Sequence, residues 1–197
     1  MLKRGFDVVG SLLGLVCLAP IFFVVVIWIK LDSKGPVFFR QSRVGRFGVL
    51  FRIHKFRTMK VNSESLGRLT VGSDARITSS GSFFRKTKVD ELPQLIDVLL
   101  GRMSLVGPRP EVQEFINCYP ESIRNKVLSV RPGITDRASI EMVDENEILA
   151  KYDNAKQAYI DIILPIKQKY YIEYVNENNL ISDALIIIAT FKKIFTR

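Results

Sequence analysis

The chain has 197 residues, enough for one domain of ordinary size around a single core and too few for two comfortable ones. Lys and Arg number 29 against 20 Asp and Glu, a formal charge of +9 that points to an anionic partner, while 47% hydrophobic and 25% charged residues exclude a disordered tail. Cys17 and Cys118 lie too far apart, in surroundings too different, for a disulfide framework or zinc cluster, so the sequence reads as intracellular. With His54 as its one histidine, any chemistry falls to carboxylates.

No charged residue occurs across residues 8–29, which as a helix is about 33 Å long at 1.5 Å per residue, enough to cross a bilayer. The run is too long for a signal-peptide h-region, and no A-x-A site follows it. A plain spanning helix is the default for such a run, but two features oppose it. Lys3 and Arg4 flank one end and Lys30, Lys34, Arg40, Arg43 and Arg46 the other, so both flanks satisfy the preference for the cytoplasmic face. Pro20 lies near the middle, where its missing N–H and its ring break the ladder and allow the chain to return. Residues 1–33 are therefore expected to form a re-entrant membrane helix, and residues 34–197 a domain at the membrane interface.

Beyond Lys30 the alternation of Val49, Phe51 and Ile53 after a turn at Gly45 to Gly48 predicts a β-hairpin. Arg40, Arg43, Arg46, Arg52, Lys55, Arg57 and Lys60 make this stretch densely basic, and beside a membrane segment such a cluster favours anionic headgroups. Residues 61–81 read as a polar loop. Residues 90–100 read as a short helix with Asp90 as N-cap, Pro93 in its first turn and Gly101 as its stop. Helical spacing runs through residues 146–175, interrupted by Pro165. The final stretch carries Lys192, Lys193 and Arg197 beside Phe191, Ile194 and Phe195, as an interfacial amphipathic helix or one packed on the core would. The fold class expected is α+β, mainly helical.

The chemical candidates cluster in RKTKVDELPQLIDVLLGRMSLVGPRPE. Taken alone, Asp90 and Glu91 read as acids favouring a helix start. Arg85 and Lys86 precede them, and Arg109 stands between Pro108 and Pro110, whose fixed φ presents the guanidinium from a stiff platform suited to a phosphate; a salt bridge to Glu111 or another acid explains Arg109 equally.

KRGFD, SKGPVFFRQSRVGRFG, FRIHKFRTM, VDELPQL, MSLVGPRPE and RPGIT occur here in the order seen in the bacterial sugar transferase family, and the chain resembles its small monotopic phosphoglycosyl transferases from Lys3 to Thr135. The resemblance implies a re-entrant helix and a catalytic domain on the cytoplasmic face of the bacterial inner membrane. It also implies transfer of a phosphosugar from a UDP-sugar to polyprenol (undecaprenyl) phosphate with Mg²⁺, at the first membrane step of glycoconjugate assembly. Asp90 then matches the nucleophile and Glu91 its partner, both also metal ligands. Arg85 and Arg109 match phosphate-binding arginines, and Pro20 matches the helix-breaking proline. Where many members read Gly-Trp-Ala-Gln after Pro-Gly-Ile-Thr, this chain has Asp136, Arg137, Ala138 and Ser139; where Lys-Gly-Asp often precedes Met-Ser, it has Leu100, Gly101 and Arg102.

On this reading the partners are the UDP-sugar, the polyprenol phosphate and membrane lipids, with no nucleic acid; the sequence leaves open a homodimer, the donor sugar and the polyprenol species. Two other classes account for part of the sequence. A membrane-tethered protein binding nucleic acid or anionic lipid explains the charge, and a membrane scaffold explains the apolar helix and tail.

Overall fold

The structure, a computed structural model, describes residues 2–61, 63, 74–142 and 144–196. Helix α1 (Leu2–Asp32) contains the apolar run and continues through Pro20. It is the one helix among the described residues long and apolar enough to cross a membrane. Its inward stripe follows helical spacing, with Asp7, Ser11, Val25 and Ile29 buried, while Leu13, Val16, Phe23, Val24 and Leu31 face outward.

Both ends of α1 are fastened to the same body. At the N-terminal end Arg4 donates to the carbonyls of Val98 (2.7 Å) and Leu99 (3.0 Å), and Asp7 accepts from Ser104 Oγ and the Leu105 N–H, each at 3.0 Å. At the other end Phe22 packs edge-on against Phe56 at 5.2 Å, and Asp32 accepts from Ser80 Oγ at 2.7 Å. Of the flanking charges read as a preference for the cytoplasmic face, Arg4 is thus bound to protein carbonyls, and Lys3 pairs with the Asp183 carboxylate and donates to the Val106 carbonyl.

The expected hairpin is present: β1 (Phe38–Val44) pairs antiparallel with β2 (Leu50–Phe56), with Phe39 opposite Lys55 and Arg43 opposite Phe51. Because side chains alternate across a strand, Arg43, Phe51, Ile53 and Lys55 share one face. The basic stretch is accordingly not one surface patch. Arg57 is buried and donates to the carbonyls of Ser33 and Lys34, Arg46 to that of Ser129, and Arg40 and Arg52 exchange side-chain-to-carbonyl bonds across the exposed face.

Of the polar loop expected over residues 61–81, residues 62 and 64–73 lie outside the described set. The described part is ordered earlier than expected: Met59 bridges Ile77, and α2 (Ser79–Thr87) begins at the Thr78 cap, whose side chain accepts from the Gly81 N–H at 3.1 Å. Asp90 is not a helix N-cap. It sits inside a 3-10 turn, Val89–Glu91, and Pro93 occupies the cap position of α3 (Gln94–Leu99), whose chain turns away at Gly101 with φ +78°. The tighter turn buries both acids, which a cap would have left at the helix mouth.

A second sheet was not anticipated. Strands β3 (Ser104–Val106) and β4 (Gly133–Thr135) pair in parallel and bring MSLVGPRPE against RPGIT. Between them lie α4 (Gln113–Ile116) and α5 (Glu121–Val127). After β4 come α6 (Arg137–Glu141), α7 (Glu145–Leu149) and α8 (Ala155–Ala158), which leads through a π-turn, Tyr159–Ile163, into α9 (Leu164–Glu177). Pro165 lies in the first turn of α9, directly after the π-turn and within one continuous helical stretch from Ala155 to Glu177, so regular α-helical spacing is interrupted just before it, as expected, and the helix is bulged there and not ended. This half encloses the largest core, built around Phe115, Tyr159, Ile163, Leu164 and Tyr171. Finally α10 (Leu180–Phe195) buries Asp183 and leaves Ile181, Leu185, Ile188 and Phe195 exposed on one side, joining both expected patterns: one face docked and one face apolar and open.

Candidate active site

Three segments, β2, α2 and the loop carrying Arg109, converge on the turn carrying Asp90 and Glu91. Strand β2 delivers Lys55, whose Nζ donates to Glu91 Oε1 at 2.8 Å. Arg109 grips the same carboxylate with both terminal nitrogens, NH1 to Oε2 at 3.1 Å and NH2 to Oε1. Burial pushes the Glu91 carboxyl upward, but the Arg109 and Lys55 cations outweigh it and hold it well below the usual carboxylate range. Burial also drives the Lys55 ammonium down to about 8, against the pull of Glu91.

Asp90 is the opposite case. It is buried, and its Oδ1 has no hydrogen-bond partner. Burial, followed by the neighbouring Glu91 charge, raises its pKa above the ordinary value, while Lys55, Lys88 and Arg85 oppose that rise. A carboxylate oxygen withdrawn from water and left without a donor is suited to attack an electrophile or to ligate a cation. Arg85 approaches from α2, its Nε donating to Thr58 Oγ1 at 3.0 Å and its charge acting on Asp90.

The platform under Arg109 is fastened atom by atom. The Val106 carbonyl accepts from Tyr174 OH (2.9 Å) and Lys3 Nζ (3.2 Å), and the Gly107 N–H donates to the Thr135 carbonyl (3.1 Å). The Pro108 carbonyl accepts from the Gly133 N–H and the Pro110 carbonyl from Arg43, each at 3.0 Å. The two backbones run so close that a Cβ on Gly133 would lie 2.1 Å from the Gly107 nitrogen, so only glycine fits. The acid paired with Arg109 is Glu91. Glu111 instead accepts from Tyr159 OH at 2.6 Å and lies 3.9 Å from Arg43.

Of the residues expected at the site, Asp90, Glu91, Arg85 and Arg109 come together. Pro20 stands apart, on the wall of an apolar groove. Lys55, Thr58 and Lys88 were not among the candidates. The signal for Lys55 was present, since it continues the Phe51 and Ile53 alternation onto the buried face. Nothing in the one-dimensional spacing marks Lys88. In the segment 136–139, Asp136 caps α6, accepting from the Ser139 N–H at 3.0 Å and Oγ at 2.6 Å.

No three His, Cys, Asp or Glu side chains among the described residues cluster as a metal site. A carboxylate offers about four lone-pair positions, and Glu91 uses three, so one position on Glu91 and the bare Asp90 Oδ1 remain as hard oxygen donors. Magnesium takes one or two protein carboxylates and completes its shell with phosphate and water, and these donors fit it.

Compared with known proteins, all of residues 1–197 match the family model described as bacterial sugar transferase. The chain belongs to that family. It is 35% identical over 198 residues to the UDP-N-acetylgalactosamine-undecaprenyl-phosphate N-acetylgalactosaminephosphotransferase of Aeromonas hydrophila, covering 99% of this chain and 44% of that protein. It is similarly 35% identical over 199 residues to the UDP-glucose:undecaprenyl-phosphate glucose-1-phosphate transferase of Escherichia coli K12 (99% and 40%), and 37% identical over 203 residues to an undecaprenyl-phosphate glucose phosphotransferase of Komagataeibacter xylinus (99% and 36%). The chain thus spans less than half the length of these three relatives.

Proposed function

We propose that this bacterial sugar transferase moves a phosphosugar from a UDP-sugar to polyprenol phosphate, releasing UMP, through a covalent intermediate on Asp90. The observation that carries this reading is the bare, buried Asp90 carboxylate beside a Glu91 already paired with two cations; the names of the relatives supply the two substrates. A carboxylate oxygen of Asp90 attacks the β-phosphorus of the donor, forming an acyl–phosphate bond as the bond to UMP breaks, and UMP leaves with the electron pair. A phosphate oxygen of the lipid then attacks the same phosphorus, giving polyprenyl-diphosphate sugar and restoring the carboxylate.

Repulsion between carboxylate and diphosphate is the barrier these residues must lower. Arg85 offers a cation on the Asp90 side. Arg109 and Lys55 hold Glu91 and place two positive charges at the same spot. Asp90 and Glu91 would hold Mg²⁺, which when bound supplies further neutralisation of the diphosphate. The relatives differ in their sugar, so the donor sugar is not assigned.

The attachment of both α1 ends to one body supports a re-entrant, monotopic placement at the cytoplasmic face, with the outward apolar stripes of α1 and α10 in the membrane. UMP release measured with a panel of UDP-sugars and undecaprenyl phosphate tests the reaction. Release with donor alone near one equivalent, and exchange of labelled UMP into UDP-sugar without acceptor, are expected; activity with acceptor but no exchange without it would remove the covalent step.

A further inference from the structure

Between α1 and α2 runs a groove of about 300 Å³ lined only by apolar side chains, among them Pro20, Val24, Trp28, Phe83, Phe84 and Val89. Trp28 meets the rings of Phe83 and Phe84 at 5.3 and 5.2 Å, yet 42% of Trp28 and 59% of Val24 remain exposed. The catalytic turn adjoins the groove, since Val89 on the wall is the residue before Asp90.

On the other side of Val89 stands Lys88. Lys88 is the left-handed C-cap of α2 (φ +59°, ψ 13°), its N–H donating to the Arg85 carbonyl, a position that glycine or asparagine most often fills and that here carries a lysine. Its ammonium makes no hydrogen bond or ion pair among the described residues, although its charge acts on both Asp90 and Glu91. A cation without a hydrogen-bond or ion-pair partner among the described residues, held at the end of α2 where an apolar trough meets the catalytic turn, matches a molecule with a phosphate at one end and a hydrocarbon chain at the other.

We propose that the groove between α1 and α2 seats the first isoprenoid units of the lipid acceptor and that Lys88 binds its phosphate beside Asp90. The assignment rests on the reaction proposed above. It gives the trough one occupant: a bulk phospholipid brings two acyl chains and a singly charged phosphodiester, where the acceptor brings one chain and a terminal phosphate monoester of higher charge for Lys88, and a second copy of this chain would have to cover the catalytic turn. Lys88 would then draw the acceptor phosphate towards the turn while the groove aligns the chain, and the lipid would reach the site without leaving the membrane.

Trp28 is the only tryptophan and lines the groove, so its emission reads occupancy directly. Titrating the detergent-solubilised full chain with farnesyl phosphate should give a saturable change in Trp28 fluorescence, and inorganic phosphate should give none. Lys88→Asn, which tolerates the left-handed backbone but removes the charge, should weaken farnesyl phosphate binding at least about tenfold, the loss of one charge-assisted contact. Lys88→Arg should recover most of it. Val24→Phe, filling an exposed part of the trough, should weaken farnesyl phosphate and leave the response to Lys88 substitution intact. In turnover, Lys88→Asn should raise KM for undecaprenyl phosphate by a larger factor than it changes UMP exchange. An equal Trp28 response to phosphatidic acid would make the groove a general lipid seat and overturn the proposal, as would Lys88→Asn binding normally. Should UMP exchange and transfer both be absent, the reaction proposed above fails, and the titration still decides the groove. Should exchange proceed while Trp28 stays silent, the groove assignment falls alone.

Discussion

The turn at residues 88–91 and the loop at residues 106–110 meet at the ion pair between Glu91 and Arg109, and the protein treats them in opposite ways. In the loop, the carbonyls of Val106, Pro108 and Pro110 and the Gly107 N–H all have partners, drawn from α1, β1, β4 and α9. In the turn, Asp90 Oδ1 is bare and Lys88 holds a left-handed backbone without a side-chain partner among the described residues. The contrast separates two requirements of anionic group transfer. The countercharge must arrive already positioned, so its support is fully bonded; the reacting oxygen must be available, so it is denied the bonds that would quiet it.

Removing the bare carboxylate tests this most severely. Asp90→Asn should abolish UMP exchange, a loss of at least about 10³-fold, because an amide cannot serve as the nucleophile. The variant should fold as well as the parent or better, since a buried acid beside Glu91 is gone, and thermal unfolding checks that half of the expectation. A stable Asp90→Asn protein with normal exchange would end the covalent reading.

On the fastened side, Arg109→Ala should cost about 10²–10³-fold in turnover, in the range for a preorganised electrostatic donor. Lysine at the same position should recover only part, because a point charge cannot reproduce the two-pronged grip on Glu91. Gly133→Ala attacks the loop with no change of charge. Its Cβ would meet the Gly107 backbone, so a stability loss of about 3 kcal/mol and a comparable drop in turnover are expected from denaturant unfolding and UMP release.

A gentler probe is pH. Lys55, held down to about 8, loses its proton as pH rises through that value, Glu91 loses a cation, and turnover should fall on an alkaline limb near pH 8. Stability should move the other way. The unfolded chain keeps the lysine protonated up to about 10.4, so between about 8 and 10.4 it binds more protons than the native state and this residue favours folding as pH rises. Lys55→Arg should abolish the limb; an unchanged limb would assign it to another group. The smallest effect is expected at Pro20, far from the charges: Pro20→Leu should leave UMP exchange within about threefold while allowing a fraction of molecules to span, read by impermeant thiol labelling of a cysteine placed near Lys3 in a background lacking Cys17 and Cys118.

Much of the site could be read from the sequence because its charges lie in short motifs: Asp90 and Glu91 are adjacent, and proline on both sides makes Arg109 conspicuous. Period-two alternation placed the hairpin and, followed two residues further, would have turned Lys55 inward. What the sequence withheld depends on contacts between distant segments. The β3 and β4 pairing joins Gly107 to Gly133, and no local pattern announces it because each strand is three residues long. Asp90 was misplaced as a cap because an acid at a helix start and an acid in a 3-10 turn share one local pattern, and burial by β2 and the Arg109 loop decides between them. The basic run around the hairpin looked like a single patch for the same reason: charge is visible in sequence, but the face it lies on is not.

The attachment of α1 also sets an order of events in synthesis. Lys3 is made 180 residues ahead of its ion-pair partner Asp183, and Asp7 97 residues ahead of Ser104, which binds it. At about 5–20 residues per second the first helix waits roughly 9–36 s for its last anchor. Arg4 and Asp7 carry charge with no protein partner until residues 98–105 arrive, about halfway through that interval, and Lys3 lacks Asp183 throughout it, which opposes deep insertion of that end as an independent span. The Lys3 lock on α1 therefore cannot close before α10 is made, so a chain stopped before Asp183 would retain every residue of the catalytic turn and lack that lock on its membrane helix.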